Sequence, residues 1–133
     1  MEYKEQTERI IGCAYRVYNR MGYGFLESVY EKCMLIELRK TGLKAEAQVP
    51  IIVRYEDAVV GEFAADILVN DTVIVELKSV ANIIKVHEVQ LVNCLVATGK
   101  PVGLVINFGE QGVQVKRKLR ELKTKTVQAG LTR

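Results

Sequence analysis

Residues 63–78 read Phe63-Ala64-Ala65-Asp66-Ile67-Leu68-Val69-Asn70-Asp71-Thr72-Val73-Ile74-Val75-Glu76-Leu77-Lys78. Two apolar runs rich in β-branched residues flank a polar Asn-Asp-Thr, the pattern of two strands joined by a tight turn. Each strand is hydrophobic enough to be buried, yet each carries an acid, and the second adds a lysine. The twofold period of a strand puts Glu76 and Lys78 on one face. Asp66 joins that face in only one register. A two-residue loop at Asn70-Asp71 sets Asp66 opposite Val75, on the wrong face. A three-residue loop, Asn70-Asp71-Thr72, pairs Val69 with Val73 and sets Asp66 opposite Glu76. Asn and Asp tolerate the left-handed backbone such a loop needs, and a β-bulge would upset the count.

In the three-residue register, two carboxylates face each other at a Cβ separation of roughly 4.5–5.5 Å. Such a pair repels and raises one pKa unless something compensates. A divalent cation is the natural compensator, because Mg2+ favours hard oxygen ligands and keeps several waters. Lys78 would sit beside the pair, able to stabilise an anion or orient a metal-bound water. The alternative is a buried salt bridge between Lys78 and one acid, with the other acid at an exposed strand end.

Working outward, apolar residues at helical spacing predict a helix over Thr7 to Arg20, with Thr7 as N-cap, broken at Met21-Gly22-Tyr23-Gly24. A second helix covers Phe25 to Lys40, with Gly42 placed to end it in a left-handed cap. Gln48 to Tyr55 reads as a strand, with Pro50 marking either an edge strand or a strand start. A turn at Glu56-Asp57 leads into the strand Val59 to Val69, and Val73 to Lys78 follows. A helix from about Ile83 to Ala97 ends at Gly99. Val102 to Asn107 is a buried strand. Val113 to Val115 adds a short one before a basic tail that starts at about residue 116. The order α-α-β-β-β-α-β makes this a mixed α/β domain around one sheet.

Composition agrees with a single domain spanning 1–133: 49% of the 133 residues are hydrophobic and 26% charged, which suits one core and argues against disorder. No apolar run approaches the ~20 residues that cross a bilayer, and the N-terminus is too charged for a signal peptide. Cys13, Cys33 and Cys94 are scattered, which reads as reduced thiols in a cytoplasmic protein. The net charge of +3 is unevenly placed, since residues 1–115 hold 12 basic against 15 acidic side chains and residues 116–133 hold 7 against 1. That tail is either a solvated terminal element or a polyanion contact.

Two further pairs share helix faces at i, i+3 spacing: Glu27 with Tyr30, and His87 with Gln90. Taken alone, Glu27 is a favourable charge at a helix N-terminus and His87 a satisfied histidine. Gln90 amid Val89, Leu91 and Val92 needs a buried partner or solvent.

Together these residues resemble the GxxExxY family. Gly24-x-x-Glu27-x-x-Tyr30 matches its naming motif. Ala65-Asp66-Ile67-Leu68-Val69, Val75-Glu76-Leu77-Lys78, His87-x-x-Gln90 and Ile106-Asn107-Phe108-Gly109 are similar to its other blocks in the same order. The match spans about Glu8 to Arg117. The family looks like a branch of the PD-(D/E)XK nuclease superfamily. Its restriction-endonuclease-like core has αβββαβ order, a mixed sheet flanked by helices; this chain adds an N-terminal helix.

The resemblance implies a Mg2+-dependent phosphodiesterase, with Mn2+ as substitute, acting on DNA or RNA. Asp66 and Glu76 would bind the metal, with the Leu77 carbonyl a third ligand. Glu27 would bind it through water or complete the acidic cluster. Lys78 would position or help deprotonate the attacking water. Gln90 matches the glutamine of a Q-x-x-x-Y motif, although Cys94 stands at the tyrosine position, and Ala65 stands where the superfamily's name has proline. Tyr30 and His87, with Lys116, Arg117, Lys118 and Arg120 of the tail, would contact the substrate, the basic residues through salt-dependent phosphate affinity. Two readings compete with this one: a non-catalytic interaction or nucleic-acid-binding protein of the same fold, acting as a homodimer or a subunit, and hydrolysis of another phosphate ester.

Overall fold

The computed structural model describes residues 3–120. Two helices, α1 (Lys4–Met21) and α2 (Glu27–Lys40), precede β1 (Ala45–Tyr55), β2 (Ala58–Val69) and β3 (Val73–Lys78). Helix α3 (Lys85–Thr98) then leads to β4 (Val102–Gly109) and β5 (Gly112–Leu119). The strands form one sheet in the order β1-β2-β3-β4-β5. β3 and β4 are parallel, joined through α3, and every other neighbouring pair is antiparallel. The fold class is the expected mixed α/β arrangement.

Two cores sandwich the sheet. Ile10, Val17, Tyr30, Met34 and Leu38 of α1 and α2 pack on Ile67, Val75, Leu77, Leu104 and Phe108. On the other face, Leu91 and Leu95 of α3 pack on Ile74, Leu68, Val105 and Ile51. The close seat of α3 depends on Gly103. A Cβ there would lie 2.7 Å from Leu91 Cδ1, 3.2 Å from Leu91 Cγ and 3.1 Å from the Ile74 carbonyl oxygen. Gly103→Ala is therefore expected to cost about 1–3 kcal/mol by overpacking, read as a lowered midpoint in urea unfolding.

Several local expectations change. Thr7 lies inside α1, where its hydroxyl donates to the Lys4 carbonyl at 3.0 Å; the N-cap is Tyr3. Gly42 ends α2 as expected, at φ 84. Its N–H bonds the Arg39 carbonyl, and Leu43 N–H reaches back to Leu38. This is the paired-bond ending that a left-handed residue permits. Residues 116–119, three of them basic, are not a tail but the second half of β5, paired to β4 as far as Val102↔Leu119. Val113 and Val115 anchor that strand on the α1/α2 core. The rest of the basic stretch, from residue 121 onward, lies outside the described residues.

The decisive hairpin has the three-residue loop. Val69 pairs with Val73, Leu68 with Ile74 and Ile67 with Val75. Asn70 and Asp71 take φ of 52° and 56°. Thr72 N–H bonds the Val69 carbonyl at 2.9 Å, leaving Thr72 out of the ladder.

Candidate active site

The β2–β3 ladder stops at Ile67↔Val75, one step before Asp66 would meet Glu76. Beyond that point Leu77 N–H is taken by a side chain: Asp66 Oδ2 accepts it at 2.7 Å. A strand residue's N–H and C=O point toward the same neighbour, so the Leu77 carbonyl also faces the gap left by β2. Opposite Asp66 on β1, Gln48 adopts φ 54. The pleat is interrupted here, since Ile67 and Val69 pack toward α1/α2 while Ala65, of the same parity, packs toward α3. A local twist of this kind re-aims side chains. β2 thus swings away with β1 as a projecting hairpin, and the carboxylates of Asp66 and Glu76 are left close together at the parting.

Glu76 and Lys78 point, as their spacing requires, to one face of β3. They line a cavity of about 320 Å³ together with His87, Gln90 and Cys94 of α3 and with Phe63 and Ala64 of β2. Burial, then the Asp66 charge, pushes the Glu76 carboxyl up to about 8, with Lys78 acting in the opposite direction. Burial, then Glu76 and Asp66, pushes the Cys94 thiol up to about 11. Cys94 is therefore a neutral wall of the cavity at ordinary pH. Lys78 makes no direct ion pair with either acid among the described residues, so the buried salt bridge weighed from sequence is not formed.

The donor set fits a hard divalent cation in its chemistry: two half-buried carboxylates, one with a raised proton affinity, and a carbonyl on the same side. Among the described residues, no three His, Cys, Asp or Glu side chains converge. Glu27 is therefore not part of this cluster. It is the first residue of α2 and lines an adjoining cleft of about 340 Å³ with Tyr23, Ser79, Val80 and Glu110. Ser79, Val80 and Ala81, which directly follow β3, line this second cleft, and Ser79 Oγ donates to the Phe25 carbonyl at 2.8 Å, tying the end of β3 to the motif loop.

Tyr30, expected to touch substrate, is fully buried. Its hydroxyl donates to the Gly22 carbonyl at 2.6 Å, and its ring stacks on Phe108 with centroids 4.2 Å apart. The i, i+3 spacing grouped it with Glu27, yet Glu27 is exposed while Tyr30 belongs to the core. The tyrosine holds the turn that presents Glu27.

Of the other expected contacts, His87 lines the cavity while its Nδ1 accepts from Ile84 N–H at 3.0 Å, fixing the start of α3. Gln90 is exposed and lines the cavity, which resolves its anomaly. The basic residues lie elsewhere. Lys118 pairs with Glu88 at 2.7 Å, and Arg120 donates to the Gly99 carbonyl. Glu88 and the C-cap Gly99 thus draw Lys118 and Arg120 to residues that are not in the lining of the cavity. Arg117 is half-buried and Lys116 is exposed on the edge strand.

Sequence reasoning assigned no role to Asn107, which is fully buried. Its Oδ1 accepts from Val80 N–H and its Nδ2 donates to the Val80 carbonyl, both at 2.9 Å. Nδ2 also donates to Gln114 Oε1 at 3.0 Å, and that oxygen accepts from Ile83 N–H at 3.1 Å. These bonds clamp the segment running from Lys78 to α3. A polar residue inside the apolar run Val102–Phe108 was the available signal. Asn107→Leu strands several buried polar groups, so a loss of about 2–4 kcal/mol is expected. Faster amide exchange confined to residues 79–84 would locate the damage.

No helix among the described residues is long and apolar enough to cross a membrane. No curated protein matches the chain. The solved structure of SSO0001 aligns over 94% of this chain and 63% of its own, with TM-score 0.62 and 14% identity. The chain thus spans less than two thirds of that protein, and the likeness is one of fold. A crystal structure of an alkaline exonuclease from Laribacter hongkongensis aligns over 91% of this chain and 86% of its own, with TM-score 0.45 and 12% identity. The sequence pattern of the PD-(D/E)XK nuclease superfamily matches residues 4–119. That span holds the whole sheet, the acid pair at the parting of β2 and β3, and the lysine two residues on; the chain belongs to the PD-(D/E)XK nuclease superfamily.

Proposed function

We propose that this protein is a divalent-metal-dependent nuclease of the GxxExxY branch, hydrolysing phosphodiester bonds of DNA or RNA. One observation carries the reading: Asp66 and Glu76 lie together where β2 leaves β3, and Lys78 lines the same cavity as Glu76 with no direct ion-pair partner among the described residues. Carboxylates in apolar strands are costly without a compensating ligand. Asp66, Glu76 and the Leu77 carbonyl would hold the metal, with Mg2+ the expected ion and Mn2+ a substitute. When bound, it would lower the pKa of an attacking water and offset charge on a non-bridging phosphate oxygen.

The protein's own groups do the rest. Lys78 orients the water and stabilises the anionic phosphate. The Gln90 amide and the His87 ring, on the opposite wall, contact the substrate, and Glu27 acts from the neighbouring cleft. The three free cysteines suit a reducing, cytoplasmic setting. One observation favours the binding-only alternative: Cys94 supplies no phenolic hydroxyl where Q-x-x-x-Y nucleases carry one.

The test is cleavage of mixed DNA and RNA substrates with Mg2+ or Mn2+, with wild type beside Asp66→Asn and a chelator control. Cleavage that survives both the variant and the chelator belongs to a contaminant and ends the nuclease reading.

A further inference from the structure

The projecting β1/β2 hairpin carries exposed large side chains that no core claims: Tyr55 is 70%, Val60 61% and Phe63 52% exposed. Between this hairpin and α3 runs a groove of about 750 Å³, lined by Val53, Arg54, Val60, Phe63, Asn93 and Val96 among others. Phe63 and Asn93 line both this groove and the Glu76/Lys78 cavity, so the two adjoin at these residues. Among the described residues, Arg54 is the only charged side chain lining it, and no acid does. A register shift between Val53 and Arg54 sets the hairpin's outer end apart from the regular ladder, a device that re-aims side chains beside a site.

We infer that this groove binds the unpaired bases of a single polynucleotide strand entering the cavity, with the Phe63 ring as stacking platform and Arg54 meeting a phosphate. The inference rests on the nuclease reading. The chemistry is specific to unpaired strands, because a half-exposed ring can be covered only by a base whose face is free, and bases within a duplex already stack on their neighbours. Apolar walls with one cation suit a flat base on an anionic backbone.

The test measures binding by fluorescence anisotropy in calcium, which supports phosphate contact without rapid turnover. The probes are a short labelled single strand and a blunt duplex of the same composition. Phe63→Ala is expected to weaken single-strand binding about tenfold, as the loss of one stacked base implies. It should leave duplex binding unchanged, and Phe63→Tyr should restore the wild-type value. Because Phe63 is half exposed, both variants should melt like wild type, and melting curves confirm it. Equal single-strand affinity for wild type and Phe63→Ala, in a protein that still cleaves with metal, overturns the groove and leaves the nuclease reading standing. A wild type that neither binds nor cuts any polynucleotide overturns both. Sedimentation adds a third outcome: a wild-type dimer that Phe63→Ala splits, with single-strand affinity unchanged, assigns the groove to a second copy and overturns the inference.

Discussion

Asp66→Asn should lower metal-dependent cleavage by on the order of 10³-fold while leaving the fold intact. The asparagine keeps the shape of the aspartate, and its Oδ1 can still accept the Leu77 N–H bond now made at 2.7 Å. What disappears is the charge. With it goes half of the acid pair, so the affinity for Mn2+, read by calorimetric titration, should fall together with turnover. Glu76 should move the other way. The Asp66 charge is the second cause holding its carboxyl up near 8, and its removal lets the carboxyl ionise at lower pH. Unfolding free energies of the two proteins at pH 7 should agree within about 1 kcal/mol, since the variant strands no buried group. Undiminished turnover in Asp66→Asn would move the chemistry away from the parting of β2 and β3 altogether.

The acid pair was legible in the sequence because local turn chemistry fixes strand register. Asn70 and Asp71 accept left-handed backbone readily, Thr72 falls out of the ladder, and Glu76 and Lys78 then follow by alternation. His87 and Gln90 were legible for a similar reason, since helical spacing alone puts them on one stripe of α3.

The failures share a cause, in that each depends on a partner far away in the chain. Tyr30 is core because Phe108 lies flat against it, which spacing along α2 cannot reveal. Residues 116–119 read as part of a basic tail, either solvated or a polyanion contact, until β4 supplies a neighbouring strand and the α1/α2 core takes Val113 and Val115. Lys118 then pairs with Glu88, and neither residue is in the lining of the Glu76/Lys78 cavity. The interruption of the pleat at Gln48 and Asp66 is a third case. Alternation assumes an even strand, whereas a left-handed φ at Gln48 lets Ala65 and Ile67 pack on opposite faces. This irregularity is what opens the site, so a residue count that ignored it found the acids but not the cavity.

Glu76→Gln should abolish the pH dependence of stability that the acid pair imposes. In the folded protein the Glu76 carboxyl holds its proton up to about 8, against an ordinary value of 4.5. A carboxyl raised in this way makes the folded state bind more protons than the unfolded state between those two values. Its contribution to stability is full below pH 4.5 and is lost progressively as pH rises through 8. Linkage caps the loss at about 5 kcal/mol, and the partial exposure of the side chain reduces it to about 2–4 kcal/mol by pH 9. Glutamine carries no titrating proton. The variant should therefore hold its stability across the range and melt about 5–15 °C above wild type at pH 9 with chelator present. Below pH 5 the two should melt together. Divalent cation supplies the discriminating arm. At pH 8.5, Mn2+ should raise the wild-type melting temperature toward that of the variant, because a cation answers the same repulsion that protonation answers at lower pH. At pH 7 its uptake should release close to one proton per site, measurable as a buffer-dependent heat. Glu76→Gln should show neither effect. Melting curves that run parallel from pH 5 to 9 would mean that water reaches Glu76 freely, and the carboxylates at the parting would then be an ordinary solvated pair.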